Sequence, residues 1–270
     1  MASGAPAEGM RPDAQSYMAH IAAAEASLRL NEPSAARRWL RAAPEALRGF
    51  EWKLLQSRVG QSIGTLAVLP AAAQQIAISR DGRLVAAASN QAVQLFDSGG
   101  KLLHRLEAGK GEMYRVAISP DGKRVAAGGA DRIVRVWNAE TGALQHELAG
   151  FKTPITGVAF SQDGSTLFAC NYTPLEQSPG VDGTVKLWRV DDGVEIGELR
   201  GGGVKPLSMI SLSPDGSRIS ASSWNGEVWT WNLADKSLAQ TIKLPDEGPY
   251  NAANCVAHSP DGTLIVVSHD

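Results

Sequence analysis

A recurring Asp-Gly pair constrains the fold of this chain more than any other feature of its sequence. The pairs begin at Asp81, Asp121, Asp163, Asp215 and Asp261, so that successive pairs lie 40, 42, 52 and 46 residues apart. Each pair follows a short apolar run that ends in serine, and each precedes a second apolar run. Because Asp-Gly favours tight turns, every repeat is predicted to begin with a strand, a turn and a second strand. Sheets repeated at this period bury their faces against one another, which predicts a repeat architecture.

The second repeat contains the complete unit, which runs from Tyr114 to Leu148. Its four predicted strands are Tyr114–Ser119, Arg124–Ala127, Ile133–Trp137 and Ala143–Leu148. The third strand ends in an aromatic residue wherever it is present, and an Asn or Asp stands six residues earlier. These paired positions are Asn90 and Phe96, Asp131 and Trp137, Asp182 and Trp188, and Asn225 and Trp231. We interpret them as structural: the aromatic residue is core, and the polar residue accepts hydrogen bonds from the turn backbone.

Residues from about Ile63 to Asp270 resemble the WD-repeat β-propeller family, in which each repeat forms one four-stranded blade. An aromatic residue followed by Thr141-Gly142 or Asp192-Gly193 favours WD repeats over other propeller families. The family's Gly-His pair lacks its histidine in every repeat, and Gly150-Phe151 replaces it in the third. The family's hydrogen-bonded network of His, Asp and Trp therefore cannot form fully. The resemblance implies an all-β propeller with about four and a half blades in this chain.

The two ends of the repeat array predict an incomplete ring. Ile63–Leu69 matches the fourth strand of later repeats, and the chain ends at Asp270, where the third strand of the fifth repeat is due. Because natural sheets avoid unpaired edges, we expect the chain to be the first part of a longer protein. A five-bladed ring closed by a few further residues is a second possibility, although more blades are favoured. If Asp270 is the true end, two chains are expected to self-associate through their open blade edges.

The N-terminal part predicts a small helical segment before the propeller. Residues 1–12 are expected to be disordered, residues 13–60 to form a helical hairpin plus a short helix, and residues 61–270 to form the propeller, truncated in the fifth repeat. Asp13 caps the first predicted helix and Pro33 begins the second. The block Ala43–Leu55 resembles the segment that precedes the propeller in many bacterial WD-repeat proteins. Some of those carry a serine/threonine kinase domain upstream, but this chain contains no kinase motif.

Composition excludes several classes of partner and location. The net charge is −2, which leaves no basic surface for nucleic acid or an anionic membrane. The N-terminus lacks the apolar region of a signal peptide, and no stretch approaches the length of a membrane span. Cys170 and Cys255 are too few for a disulfide framework, so we interpret them as buried free thiols in a reducing compartment. A cytoplasmic location is therefore expected.

No set of residues predicts a catalytic, cofactor-binding or metal site. The histidines His20, His104, His146, His258 and His269 lack metal-ligand spacing and are assigned surface or packing roles. The serines share no nucleophile motif such as Gly-x-Ser-x-Gly. The starts of the first strands, where a propeller enzyme would place its acids and bases, supply only Arg115, Lys205 and one acid, Glu112. We therefore expect no enzyme, and a small-molecule-binding or enzymatic propeller is the less favoured alternative.

The loops on one face of the propeller carry the features that depart from the repeat. An insertion between Cys170 and Asp182 lengthens the third repeat, and Trp224 is expected to be exposed in the corresponding loop of the fourth. The candidate partner-binding residues on these loops are Tyr172, Leu175, Glu176, Lys205, Trp224 and Tyr250. Since rigid scaffolds often carry function on their loops, we expect a non-catalytic scaffold that binds other proteins or peptides. The alternative is a sensor region that works with a bacterial serine/threonine kinase.

Overall fold

The structure is a computed structural model that describes residues 12–29, 33–59, 69, 72–90, 92–109, 111–171, 183–201, 206–245 and 252–269. The chain divides into two compact units, Met1–Thr65 and Leu66–Asp270, and each is described by itself. Three predicted segments lie outside the described residues: the N-terminal residues 1–11, the outer strand at Ile63–Leu69 apart from Leu69, and the insertion at residues 172–182.

The first unit is a helical hairpin followed by a short helix. It contains α1 (Pro12–Arg29), α2 (Pro33–Ala42), a 3-10 turn (Glu45–Leu47) and α3 (Phe50–Val59). The helical spacing of the apolar residues assembles a core of Tyr17, Ile21, Ala24, Ala36, Leu40, Ala43 and Leu55. Trp39, on the second helix, is 38% exposed, and its ring lies beside that of His20. The second helix therefore buries Ala36 and Leu40 and leaves Trp39 at the surface.

The second unit consists of four four-stranded antiparallel sheets and one two-stranded sheet. Sheet 1 contains β1 (Ala73–Ile78), β2 (Leu84–Ser89), β3 (Ala92–Asp97) and β4 (Leu102–Glu107), and sheet 2 contains β5 (Met113–Ile118), β6 (Arg124–Gly129), β7 (Val134–Asn138) and β8 (Leu144–Leu148). Sheet 3 contains β9 (Ile155–Phe160), β10 (Thr166–Asn171), β11 (Thr184–Arg189) and β12 (Glu195–Arg200). Sheet 4 contains β13 (Leu207–Leu212), β14 (Arg218–Ser223), β15 (Glu227–Asn232) and β16 (Leu238–Lys243), and sheet 5 contains β17 (Ala253–His258) and β18 (Ile265–His269).

The sheets follow one another as the blades of a propeller do. Strands pair in chain order within each sheet, and the first strand of each sheet packs beside the first strand of the next. The predicted fold class, an incomplete propeller of four-stranded blades after a helical hairpin, is confirmed. We call the contact surface between two successive sheets a seam.

The recurring Asp-Gly pair forms the same turn between the first two strands of all five sheets. In sheet 2, Ser119 Oγ donates to Asp121 Oδ1 at 2.6 Å, and the same carboxylate oxygen accepts from the Lys123 N–H at 3.0 Å. The Arg124 N–H in turn donates to Ser119 Oγ at 2.9 Å. These three bonds recur at Ser79, Ser161, Ser213 and Ser259. The serine before each pair is therefore as much a part of the turn as the Asp-Gly itself.

Apolar side chains fill the seams between the four-stranded sheets. Trp137, Trp188 and Trp231 are each at most 2% exposed, and each joins its own sheet to the preceding one. Trp229 is fully buried, and its ring lies beside Gly201 and Trp231. The repeated aromatic position is thus a core position, because it closes a seam.

Without the histidine of the family's Gly-His pair, the second and third repeats make different contacts around Asp131 and Trp188. In the second repeat, Arg135 donates to Asp131 Oδ2 at 2.5 Å and to Glu147 Oε1 at 2.8 Å, and the arginine side chain is 8% exposed. In the third repeat, the Phe151 ring meets the Trp188 ring edge to face at 5.7 Å. Although the histidine is missing, Asp131 has a charged partner in Arg135.

Candidate partner-binding face

The turns between second and third strands lie beside the connections that link successive sheets. The Met113 N–H donates to the Asn90 carbonyl at 2.6 Å, and the Ala130 N–H donates to the Glu112 carbonyl at 2.9 Å. We call this surface the loop face; its described residues are 90, 108–109, 111–112, 130–133, 149–154, 206 and 224–226. The Asp-Gly turns lie at the opposite ends of the same strands. Hydrogen bonds thus join these described turns to the neighbouring connections.

Trp224 places a large apolar side chain on this surface. Its side chain is 50% exposed, while its N–H donates to the Pro206 carbonyl at 3.1 Å. The turn is closed by Gly226, at a φ of +69°, and by the Ser223 hydroxyl, which donates to Asn225 Oδ1 at 2.9 Å. The tryptophan is therefore presented by a backbone that is already ordered. Its role in partner binding stays a prediction.

The other candidate residues for partner binding cannot be placed on the face. Tyr172, Leu175, Glu176, Lys205 and Tyr250 lie outside the described residues, as does the repeat position Asp182. Of the residues proposed to contact a partner, the structure therefore describes Trp224 alone, and the contribution of the others stays a prediction.

Arg132 is a feature of the loop face that sequence reasoning missed. It follows Asp131 in the repeat, where the third and fourth repeats have Gly183 and Gly226. Arg132 adopts a φ of +68°, nearly the same as Gly226 at +69°. Its side chain is exposed, and Nη1 donates to the Lys152 carbonyl at 3.3 Å. A comparison of the repeats could have found it, because an arginine replaces a glycine at a position where glycine is favoured.

A polar network in the seam between sheets 4 and 5 is the second feature that sequence reasoning missed. Ser220 Oγ and Thr230 Oγ1 lie 2.7 Å apart, and His258 Nε2 lies 3.3 Å from the same serine oxygen. The other ring nitrogen of His258 lies 3.2 Å from Ser211 Oγ. The sequence assigns His258 a packing role in place of a phenylalanine. Packing is only part of its role, because the ring also contacts two hydroxyl groups across the seam, those of Ser211 and Ser220.

The network borders a cavity of about 620 Å³ whose walls include Asp215, Arg218, Gln240 and Asp261. Ser220 is fully buried, so no substrate can reach its hydroxyl in this arrangement. Burial lowers the pKa of His258, with a smaller lowering by Arg218 and an opposing effect of the Asp215 carboxylate. The ring is therefore neutral at neutral pH. The geometry favours a structural role over that of a nucleophile and base.

Several other groups that could carry chemistry are buried or hydrogen-bonded to the backbone. Burial raises the pKa of the Cys170 thiol to about 12, which keeps it protonated. Cys255, predicted to be buried, is instead partly exposed. His104 Nε2 lies 2.8 Å from the Glu140 carbonyl oxygen, and His20 Nδ1 lies 2.7 Å from that of Ser16. Within the described residues, no three His, Cys, Asp or Glu side chains form a group that could hold a metal ion.

Comparison with known proteins identifies the repeats. Residues 100–138 and 142–189 match the sequence profile described as WD domain, G-beta repeat. The two matched stretches are WD repeats. The sequence match agrees with the observed four-stranded sheets, because the matched residues include strands of sheets 1, 2 and 3.

Several curated proteins are similar to this WD-repeat chain. WD repeat-containing protein 1 of Mus musculus is 28% identical over 218 residues, which are 80% of this chain and 33% of that protein. Eukaryotic translation initiation factor 3 subunit I of Scheffersomyces stipitis is 30% identical over 157 residues, 57% of this chain and 43% of that protein. Periodic tryptophan protein 2 of Saccharomyces cerevisiae is 27% identical over 134 residues, 47% of this chain and 13% of that protein. The chain thus spans about a third of the length of the first of these relatives.

The three relatives are eukaryotic, and none of their names refers to a kinase. The resemblance to bacterial proteins and the kinase-linked alternative therefore stay predictions. Among the described residues, no helix has the length and apolar character that crossing a membrane requires.

Proposed function

We propose that this WD-repeat chain is a non-catalytic scaffold that binds other proteins or peptides through its loop face. The observation that carries the proposal is Trp224, a half-exposed tryptophan on a turn whose backbone is held by the Pro206 carbonyl. Exposed tryptophans on rigid surfaces are frequent hot spots, since they bury much area and lose little conformational entropy on binding.

The relatives support a role in assembly. One of them is by name a subunit of a translation initiation factor, and two carry WD repeats or periodic tryptophans in their names. The repeats of this chain supply the same kind of framework, in which loops vary while hydrogen-bonded turns and buried tryptophans hold the sheets. We propose a cytoplasmic location and partners that are proteins, because the net charge of −2 suits neither nucleic acid nor an anionic membrane.

The chemistry of the described residues supports binding over catalysis. The Cys170 thiol is protonated and buried, and Ser220 is closed inside a seam. A catalytic group must reach its substrate in the productive geometry. On the loop face, the described groups are instead an exposed tryptophan and a small number of charged side chains.

A pair of matched substitutions tests the proposal. Trp224→Ala removes the exposed ring of the loop face, and Leu144→Ala removes an apolar side chain of similar exposure, 48%, from the outer strand β8. Proteins crosslinked to the parent chain in lysate are identified, and the affinity of each purified partner is measured. We expect Trp224→Ala to weaken binding by about tenfold or more, and Leu144→Ala to change it little.

Folding must be unchanged for that comparison to count, so circular dichroism spectra and Tm are measured for both variants. A third variant that lacks residues 172–179 extends the test to the insertion. If Trp224→Ala and the deletion both bind partners with the affinity of the parent chain, the loop face is not the binding surface and the proposal is wrong.

A further inference from the structure

Arg132 occupies a backbone conformation that suits its residue type poorly. At a φ of +68° an L side chain crowds the backbone, whereas glycine adopts this region freely. The structurally equivalent Gly226 has the same conformation without that penalty. Residues that break a local rule in this way cluster at functional sites, where the side chain gives a benefit other than stability. Any such benefit at Arg132 depends on the contacts of its side chain.

The guanidinium of Arg132 is available to a ligand. It donates to the Lys152 carbonyl, and within the part of the chain that the structure describes no carboxylate oxygen lies within 4 Å of it. Arg135, three residues later, is the contrast, because its guanidinium is buried between Asp131 and Glu147. Both Arg132 and Lys152 are exposed, and the hydrogen bond from the guanidinium to the Lys152 backbone carbonyl places the two residues side by side on the loop face.

We propose that Arg132 and Lys152 form a binding site for an acidic segment of the partner protein. The inference rests on the proposed function and deepens it by naming the chemistry of the partner. An arginine guanidinium matches a carboxylate with two parallel N–H groups, and a lysine adds a mobile positive charge beside it. Because the turn already fixes the arginine backbone, less conformational entropy is lost on binding.

A polypeptide fits this surface better than a nucleic acid does. Nucleic-acid sites gather many cations along a phosphate backbone, whereas this pair is small and the chain is acidic overall. The exposed Glu112, on the neighbouring connection, adds a negative charge to the same face. In a peptide that combines carboxylates with apolar residues, the carboxylates can bind Arg132 and Lys152 and the apolar side chains can pack on the Trp224 ring.

A displayed library of random peptides identifies the preferred chemistry. The parent chain and the double variant Arg132→Ala/Lys152→Ala are used separately to select peptides, and the net charge of the enriched sequences is compared. We expect acidic sequences from the parent chain and no acidic bias from the double variant. Enriched sequences of neutral or basic character from the parent chain would overturn the inference. Tighter binding to a single-stranded oligonucleotide than to the selected peptides would also overturn it.

Three substitutions at one position then separate charge from backbone strain. Arg132→Gly is expected to raise Tm by about 2–4 °C, because it removes the backbone strain. The same substitution is expected to lower the affinity for the selected acidic peptide by about tenfold or more. Arg132→Ala is expected to lose the same affinity without the rise in Tm, and Arg132→Lys to keep part of the affinity. Unchanged peptide affinity in Arg132→Ala would show that the arginine does not contact the partner.

Trp224→Ala distinguishes failure of this inference from failure of the proposed function. If Trp224→Ala abolishes peptide binding while Arg132→Ala does not, the loop face binds partners but the acidic segment is the wrong chemistry. If the parent chain enriches no library peptide, two proposals are wrong: that Arg132 and Lys152 bind an acidic segment, and that the loop face binds peptides.

Discussion

His258 Nε2 lies 3.3 Å from Ser220 Oγ across the seam between sheets 4 and 5, at a place where the other seams join apolar side chains. The pair equivalent to Ser220 and His258 is Ala86 and Ile118 in the seam between sheets 1 and 2. It is Ala126 and Phe160 between sheets 2 and 3, and Phe168 and Leu212 between sheets 3 and 4. Hydrogen bonds across this seam therefore replace dispersion contacts and apolar burial. Protonation of His258 places a positive charge in this partly buried network, and removing a charge from water is unfavourable.

The stability of the seam is predicted to fall at mildly acid pH. Burial lowers the pKa of His258 below its ordinary value of 6.5, and the charged groups that share its cavity are Asp215, Arg218 and Asp261. The unfolded chain consequently takes up its proton before the folded chain does. The contribution of His258 is complete above about pH 6.5 and is lost as the pH falls below that value. We expect Tm to fall between about pH 7.5 and 5.5.

His258→Phe is the matched control for this pH dependence, because Phe160 occupies the equivalent position in the third repeat. The variant keeps an aromatic ring in the seam and removes the titrating group. Its Tm should change less over the same pH range than that of the parent chain. Equal changes in the two proteins would mean that other groups cause the acid sensitivity.

The features that repeat could be predicted from the sequence, and those that break the repeat could not. Five Asp-Gly turns and four aromatic positions predicted the sheets and their core, because every repeat places the same side chains in the same contacts. Ser220 and His258 lie 38 residues apart, and nothing in either repeat shows that they face each other across a seam. Arg132 was missed for another reason. What sets it apart is the positive φ of its backbone, and the sequence indicates that angle only when the repeats are aligned and Arg132 is found at the position of Gly226.

The buried ion pair between Asp131 and Arg135 is predicted to be important for stability. The two side chains are 12% and 8% exposed, so Asp131→Ala leaves a buried guanidinium that, among the described residues, keeps its ion pair with Glu147. We expect a loss of about 3 kcal/mol in the free energy of unfolding, measured by urea denaturation. Asp191→Ala is the control, because it breaks an exposed pair with Arg124 and should cost less than about 1 kcal/mol. Equal losses in the two variants would contradict the role assigned to burial.

The two cysteines are predicted to differ in reactivity. Cys170 is buried with a pKa of about 12, whereas Cys255 is partly exposed. Because the thiolate is the reactive form, Cys255 should be alkylated by iodoacetamide in the folded chain and Cys170 only after unfolding in denaturant. Peptide mass spectrometry after timed alkylation separates the two sites. Rapid modification of Cys170 under native conditions would show that the seam between sheets 3 and 4 opens readily.

Gly201 is predicted to tolerate no side chain, because a Cβ atom there would overlap the buried ring of Trp229. Gly201→Ala should therefore lower the free energy of unfolding by about 3 kcal/mol. Gly82→Ala is the control for backbone strain alone, since Gly82 has a φ of +70° and open space around it; it should cost about 1 kcal/mol. Trp229→Phe removes part of the ring that a Cβ at position 201 would meet, so Gly201→Ala should cost less in that background. A double-mutant cycle measures this coupling, and additive losses would mean that the clash is relieved by movement of the backbone instead.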